Sequence, residues 1–154
     1  MASPDRPIQR PPNRRAPSTI VELTEAECFD HLRDAAVGRL AVQLPAGGVD
    51  IFPVNFVLDQ GCVLLRTAGG TKLDSLTSES LVAFEADHFD YFEGAAWSVV
   101  VKGHAELVED HDELLALLDV EIDTWQPERK PFHVRITPST TTGRQFAIHR
   151  RVEP

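Results

Sequence analysis

The stretch "VDIFPVNFVLDQGCVLLRTAGGTKL", residues 49–73, decides the fold. Two runs rich in β-branched and aromatic residues, 49–59 and 62–67, are parted only by a turn at Asp59, Gln60 and Gly61. That spacing predicts two antiparallel strands and a tight turn. Pro53 interrupts the first run. It has no amide hydrogen for a ladder, so this strand lies at an edge or is bulged there. The second run ends at Arg66 and Thr67, followed by Gly69, Gly70, Thr71 and Lys72. Alternation puts Arg66 on one face with Cys62 and Leu64. A cation on a core-facing side needs a partner, either an internal acid such as Glu85 or a bound anion. Thr67 and Thr71 add hydroxyl donors, and Gly69 and Gly70 let backbone amides approach closely. "TKLDSL" from Thr71 reads as a short helix whose first amides point to the same place. These features suit a phosphate monoester. A polar strand-end turn with solvated Arg66 and Lys72 explains the same residues equally well. A Walker A loop is excluded, because it needs Gly-Lys-Ser/Thr in succession and the order here is Gly70-Thr71-Lys72.

Working outward, "TEAE" at 24–27 is a capping box, and the apolar spacing of Cys28, Leu32 and Ala35 predicts a helix over 24–37 with Gly38 as its stop. "GRLAVQL" alternates, with Leu40, Val42 and Leu44 on one face. Strands are also predicted over 81–87 and 96–108, the latter with a bulge or bend at Gly103. Asp110 and Glu113 open a second helix. "HVRITP" and "GRQFAIHR" read as two closing strands parted by a turn at 139–143. Short strands with tight turns and few helices predict a mainly β protein, an antiparallel barrel with a few flanking helices.

The totals fit one domain of 154 residues, 42% hydrophobic and 25% charged. The net charge of -9 argues against a nucleic-acid surface on the folded part. Residues 1–18 differ, with Arg6, Arg10, Arg14 and Arg15 against Asp5 alone, and five prolines. They are expected to form a disordered tail, leaving 19–154 as the folded domain. No apolar run approaches the ~20 residues of a membrane span, and no secretory signal pattern opens the chain. Cys28 and Cys62 read as small core residues, which fits a reducing cytosol and a cytoplasmic protein.

"PVNF" at 53–56 is the second candidate site. Pro53 leaves neighbouring backbone groups available, and Asn55 offers a donor and an acceptor among apolar side chains, a lining suited to a flat ring with polar edges. An edge strand with an ordinary bulge is the plainer alternative. Trp97 and Ser98 form a third candidate contact. Glu85 and Asp87 share a strand face, as an acid/base pair does, although an ion-pair role explains Glu85 as well. The six histidines show no metal-ligand spacing.

Together, "VGRLAV", "FPVNFVLD", "VLLRTAGGTKL", "VAFEAD", "WSVVVKGHAELV" and "VRITPSTTTGRQF" resemble the pyridoxamine 5'-phosphate oxidase-like proteins, and within them the actinobacterial branch akin to nitroimidazole-resistance proteins. The resemblance spans roughly residues 23–146. It implies an antiparallel six-stranded split β-barrel, a homodimer, and FMN at the subunit interface. On it, Arg66, Thr67, Thr71 and Lys72 hold the FMN phosphate, and Pro53, Val54, Asn55 and Phe56 line the isoalloxazine. Trp97 and Ser98 lie near the ring or ribityl chain, and Trp125 and Arg144 come from the other subunit. The residues with which the oxidase grips pyridoxamine phosphate have no counterpart near the C-terminus, so the resemblance points away from vitamin B6 and toward an FMN-dependent reductase of a small electrophile, of nitroaromatic or quinone type. Relatives on this barrel also include non-catalytic flavin binders, users of the deazaflavin F420, and haem-binding proteins, for which His149 is the histidine to test.

Overall fold

The structure, a computed structural model, describes residues 19–70, 76, 80–122 and 130–148. The expected tail at 1–18, the Thr71–Lys72 segment with its short helix, Trp125 and His149 lie outside the described residues.

Seven antiparallel strands form one sheet. In chain order they are β1 (Ile20–Leu23), β2 (Val37–Gln43), β3 (Val49–Asp59), β4 (Cys62–Thr67), β5 (Ser80–Asp90), β6 (Ala95–Leu107) and β7 (Phe132–Ala147). Six of them close on themselves in the order β7-β4-β3-β2-β5-β6, because β6 also pairs with β7. This is the antiparallel barrel the sequence predicts, with the six strands the resemblance implies. The short β1 is an addition, paired with the second half of β7.

Alternation sorts each strand into an inner and an outer face. Leu40, Val42, Val54, Phe56, Val63, Leu65, Phe84, Val99, Val101, Val134 and Ile136 fill the barrel. The Phe56 and Phe84 rings meet edge to face inside it. A second, smaller cluster lies outside, where Leu64 packs with Val108, Leu117 and Ile122.

The capping box forms as expected. Thr24 caps α1 (Glu25–Asp34) and accepts from the Glu27 amide, while Glu27 accepts from the Thr24 backbone. The helix ends earlier than its sequence spacing predicts, at Asp34 rather than residue 37, and Gly38 is not its stop. Gly38 lies inside β2 against the Phe84 ring, where a Cβ would sit 2.3 Å from a ring carbon. The glycine serves a close strand crossing and not a helix end. Asp110 caps α2 (His111–Ala116) by accepting from the Glu113 amide, and a 3-10 turn (Leu117–Asp119) follows.

The two predicted closing strands are one. β7 runs unbroken through the expected turn at 139–143. Thr140, Thr141 and Thr142 favour extended backbone, and the polar run is absorbed by a bulge. The β6–β7 register shifts between Lys102 and Gly103, and the Ser139 hydroxyl donates to the Lys102 carbonyl at 3.0 Å. Gly103 permits this, since a Cβ there would meet the Thr137 carbonyl oxygen at 2.1 Å. The bulge expected at Gly103 is therefore present.

Candidate functional site

The hairpin that opened the sequence reading holds Pro53 where the ladder allows it. β3 pairs with β2 in unbroken register over its first half, and with β4 only from Phe56 to Asp59. Among the described residues, no strand pairs with β3 beside Pro53 on its β4 side, so a missing amide hydrogen there leaves no β4 ladder position unfilled. The pleat splits the candidate residues. Val54 and Phe56 point into the barrel and are buried. Pro53 and Asn55 fall on the outer face, and the Asn55 side-chain amide donates to the Ala36 carbonyl at 3.3 Å.

β4 divides in the same way. Thr67 is on the barrel side, 3% exposed, and its hydroxyl donates to the Ala68 carbonyl at 2.9 Å. Arg66 is on the outer face with Leu64, so its apolar neighbours belong to the small outer cluster and not to the barrel interior. The expected pairing of Arg66 with Glu85 does not occur. Glu85 and Asp87 instead accept from Arg39 Nη1, at 2.9 and 2.6 Å. The cause is register: Arg39 lies directly opposite Glu85 in the β2–β5 ladder, on another side of the barrel from Arg66. This accounts for both carboxylates as ion-pair partners. The three groups are partly exposed, so they fix local geometry more than they stabilise the fold.

Arg66 is half-buried. Its Nε donates to the Lys130 carbonyl at 3.1 Å, and among the described residues its terminal nitrogens have no carboxylate. Its partner across the β4–β7 ladder is His133. Arg66 and His133 therefore form one outer row across β4 and β7, next to the end of the β3–β4 pairing at Phe56 and Leu65. Burial, and then the charge of Arg66, lower the His133 pKa below the ordinary histidine value. Its Nδ1 is buried and, among the described residues, has no hydrogen-bond partner. Neither composition nor local spacing singles out His133, because only strand pairing puts it beside Arg66.

Trp97 lies elsewhere, on β6. His31 of α1 stacks on it with ring centroids 4.8 Å apart, and His88 of β5 lies at 6.4 Å. These rings, with Asp34, Ala36 and Val37, line a cleft of about 440 Å³. Ala36, which accepts from Asn55, links this cleft to the β3 edge. Ser98 points to the opposite face of β6 from Trp97. It pairs with Arg144 of β7, and Arg144 pairs with Glu22 of β1. Ser98, Thr142, Arg144 and Glu22 line a separate cleft of about 420 Å³. Arg144 lies eleven residues along β7 from His133, the ladder partner of Arg66, or roughly 35 Å of strand at ~3.3 Å per residue, and Ser98 pairs with Arg144. One chain therefore does not bring Ser98 and Arg144 to Asn55 and Arg66.

A closed six-stranded antiparallel barrel, flanked by α1 and α2, with polar residues gathered on its outer face and in outer clefts, defines the split-barrel class. The family model described as pyridoxamine 5'-phosphate oxidase matches residues 24–145, and the chain belongs to that family. It is similar to a Corynebacterium glutamicum protein crystallised as a candidate pyridoxamine 5'-phosphate oxidase, with 39% identity, a TM-score of 0.76, and coverage of 86% of this chain and 96% of that one. It is also similar to the structure of the FAD binding protein from Mycobacterium smegmatis, with 37% identity, a TM-score of 0.70, and coverage of 82% and 98%. An uncharacterised Mycobacterium tuberculosis protein, Rv0080, is 31% identical over 140 residues, covering 86% of this chain and 89% of the relative.

Proposed function

We propose that this protein binds FMN and serves as a flavin-dependent oxidoreductase acting on a small electrophile of nitroaromatic or quinone type. The observation that carries the reading is Arg66. Among the described residues it is a half-buried cation held through Nε, with terminal nitrogens that meet no carboxylate, next to the point where the β3–β4 pairing ends. Such a group favours an anion with several acceptor oxygens, as a phosphate monoester is. Family membership and the 37% identity to a protein named for FAD binding support a flavin as the owner of that phosphate.

In this reading Arg66 holds the phosphate, with Lys72 and Thr71 beside it. Thr67, through its hydroxyl bond to Ala68, fixes the backbone that leads into that segment. Asn55 and the backbone around Pro53 meet the polar edge of the ring, and Val54 and Phe56 anchor this strand in the barrel core. When bound, the flavin supplies hydride or electron transfer. The protein's part is to bind it, orient it and limit water around it.

The complete site belongs to a homodimer. Val49, Ile51 and Leu81 are 66, 62 and 63% exposed. Ile51 and Ala83 both lie opposite Ala41, so an apolar strip runs across the outer face of β3, β2 and β5. A second copy covering that strip removes apolar surface from water. It also offers a route by which Ser98 and Arg144 of one protomer reach a cofactor held by Arg66 of the other.

The test is the absorption spectrum and mass of the small molecule that copurifies, with the solution mass of the protein measured on the same sample. The expected result is a yellow dimer carrying FMN. Recovery of FAD or F420 would correct the cofactor and leave the barrel site standing. A colourless protein that takes up none of the three would overturn the reading, and a monomer that binds FMN fully would overturn the shared site.

A further inference from the structure

We infer that His133 is a working member of the anion-holding row: it takes up a proton when a phosphate monoester seats on Arg66, so that cofactor occupancy and protonation are coupled. This rests on the phosphate reading of Arg66 given above.

The geometry is cross-strand. Arg66 and His133 are direct partners in the β4–β7 ladder, which places their Cβ atoms about 5 Å apart on one face. The imidazole Nδ1 is buried and has no partner among the described residues. A second proton on this ring therefore has no acceptor there in the free protein. Three charged groups among the described residues share its face or lie across from that face in the ladder. Arg66 faces it from β4. Arg135, two residues along β7 on the same face, is held by Glu113 of α2 at 2.9 Å and by Asp59 of β3 at 3.8 Å. Glu106 of β6 lies opposite Arg135 in the ladder. Among the described residues, none of these carboxylates pairs with His133.

In the free protein, burial and the Arg66 charge both disfavour the imidazolium, which is why the pKa is lowered. A dianion held by Arg66 changes the sign of the field at the ring. Attraction replaces repulsion, the His133 pKa rises, and a proton is bound. Affinity for the phosphorylated ligand then increases as pH falls toward the bound-state value. The phosphate's own second ionisation, near pH ~6, responds in the opposite sense, because Arg66 favours the dianion and its titration releases protons. Net uptake is thus specific to a group such as His133.

The experiment is calorimetry on the full-length, flavin-free protein, titrated at pH 7 with FMN and with riboflavin in two buffers of different ionisation enthalpy. Wild type is expected to take up protons with FMN and none with riboflavin, which lacks the phosphate. His133→Gln, which keeps a neutral polar side chain, is expected to lose the uptake and bind FMN severalfold more weakly. Proton-detected titration of the His133 ring in wild-type protein provides a readout without mutation, and its pKa is expected to rise on FMN binding. An unmoved ring pKa, or uptake that persists in His133→Gln, overturns the inference while leaving the flavin site intact. FMN affinity unchanged in Arg66→Ala overturns the phosphate reading itself, and this inference with it.

Discussion

The two halves of β7 are built from one continuous strand and do different work. Its first half pairs with β4 and sets His133 beside Arg66. Its second half pairs with β1 on one edge and β6 on the other, and sets Arg144 between Glu22 and Ser98. Both halves present a histidine or arginine on the outer face, yet their surroundings differ. Arg66 and His133 stand in a row without a paired carboxylate among the described residues, whereas Arg144 has Glu22 as its ladder neighbour. A cation without a fixed counter-charge favours a ligand anion, while one with a carboxylate across the ladder has a competing partner within reach. On that difference we propose that the primary anion site belongs to the first half, with a supporting contact from the second.

The largest expected effect breaks the first half. Arg66→Ala combined with Lys72→Ala removes two charge-assisted contacts of about 1.5–3 kcal/mol each, so FMN affinity should fall by roughly a hundredfold to ten-thousandfold. Fluorescence titration against riboflavin measures it, and an equal loss for riboflavin would place the phosphate elsewhere. A smaller effect probes the second half. Arg144→Ala should weaken FMN about tenfold, the loss of one contact at the lower end of that range. Mixed dimers sharpen this: combining Arg66→Ala and Arg144→Ala chains should restore one intact site of the two only if Arg144 acts on the partner's cofactor. Restoration failing in verified heterodimers would assign Arg144 a structural role. The smallest effect is on stability. α1 packs against β7, and its capping box holds its first turn. Thr24→Ala should lower Tm by about 2–4 °C. Glu27 has its pKa lowered by hydrogen bonds from the Thr24 side chain and backbone. Its contribution is therefore present above the unfolded-state pKa and lost as pH falls through the lowered folded value. The difference in Tm between wild type and Thr24→Ala should shrink in acid, and a pH-independent difference would remove Glu27 from the box.

Much of this was legible in the chain. The hairpin 49–67, the bulge at Gly103 and both N-caps follow from local chemistry: alternation, turn residues and side chains that satisfy helix amides. That Arg66 and Leu64 share a face was equally readable. That this face is the outer one, and not the core-facing one expected, was not, since the same alternation serves a barrel interior and a helix-covered exterior. Nor was the fate of Glu85 readable, because its partner Arg39 is 46 positions away and is chosen by the β2–β5 register. The expected turn at 139–143 failed because turn-forming residues also suit a bulge when a neighbouring strand supplies hydrogen bonds, as Lys102 does for Ser139.

The sequence by itself determined the mainly β class, the faces of each strand and the candidate residues at Pro53 to Phe56 and at Arg66, since those depend on interactions within a few residues. Only the tertiary structure decided that β7 stays whole, that Arg39 claims both carboxylates, and that His133 stands beside Arg66. Those outcomes depend on which strands pair and in what register, and a ladder formed between residues 66 and 133 leaves no trace in the local pattern of either.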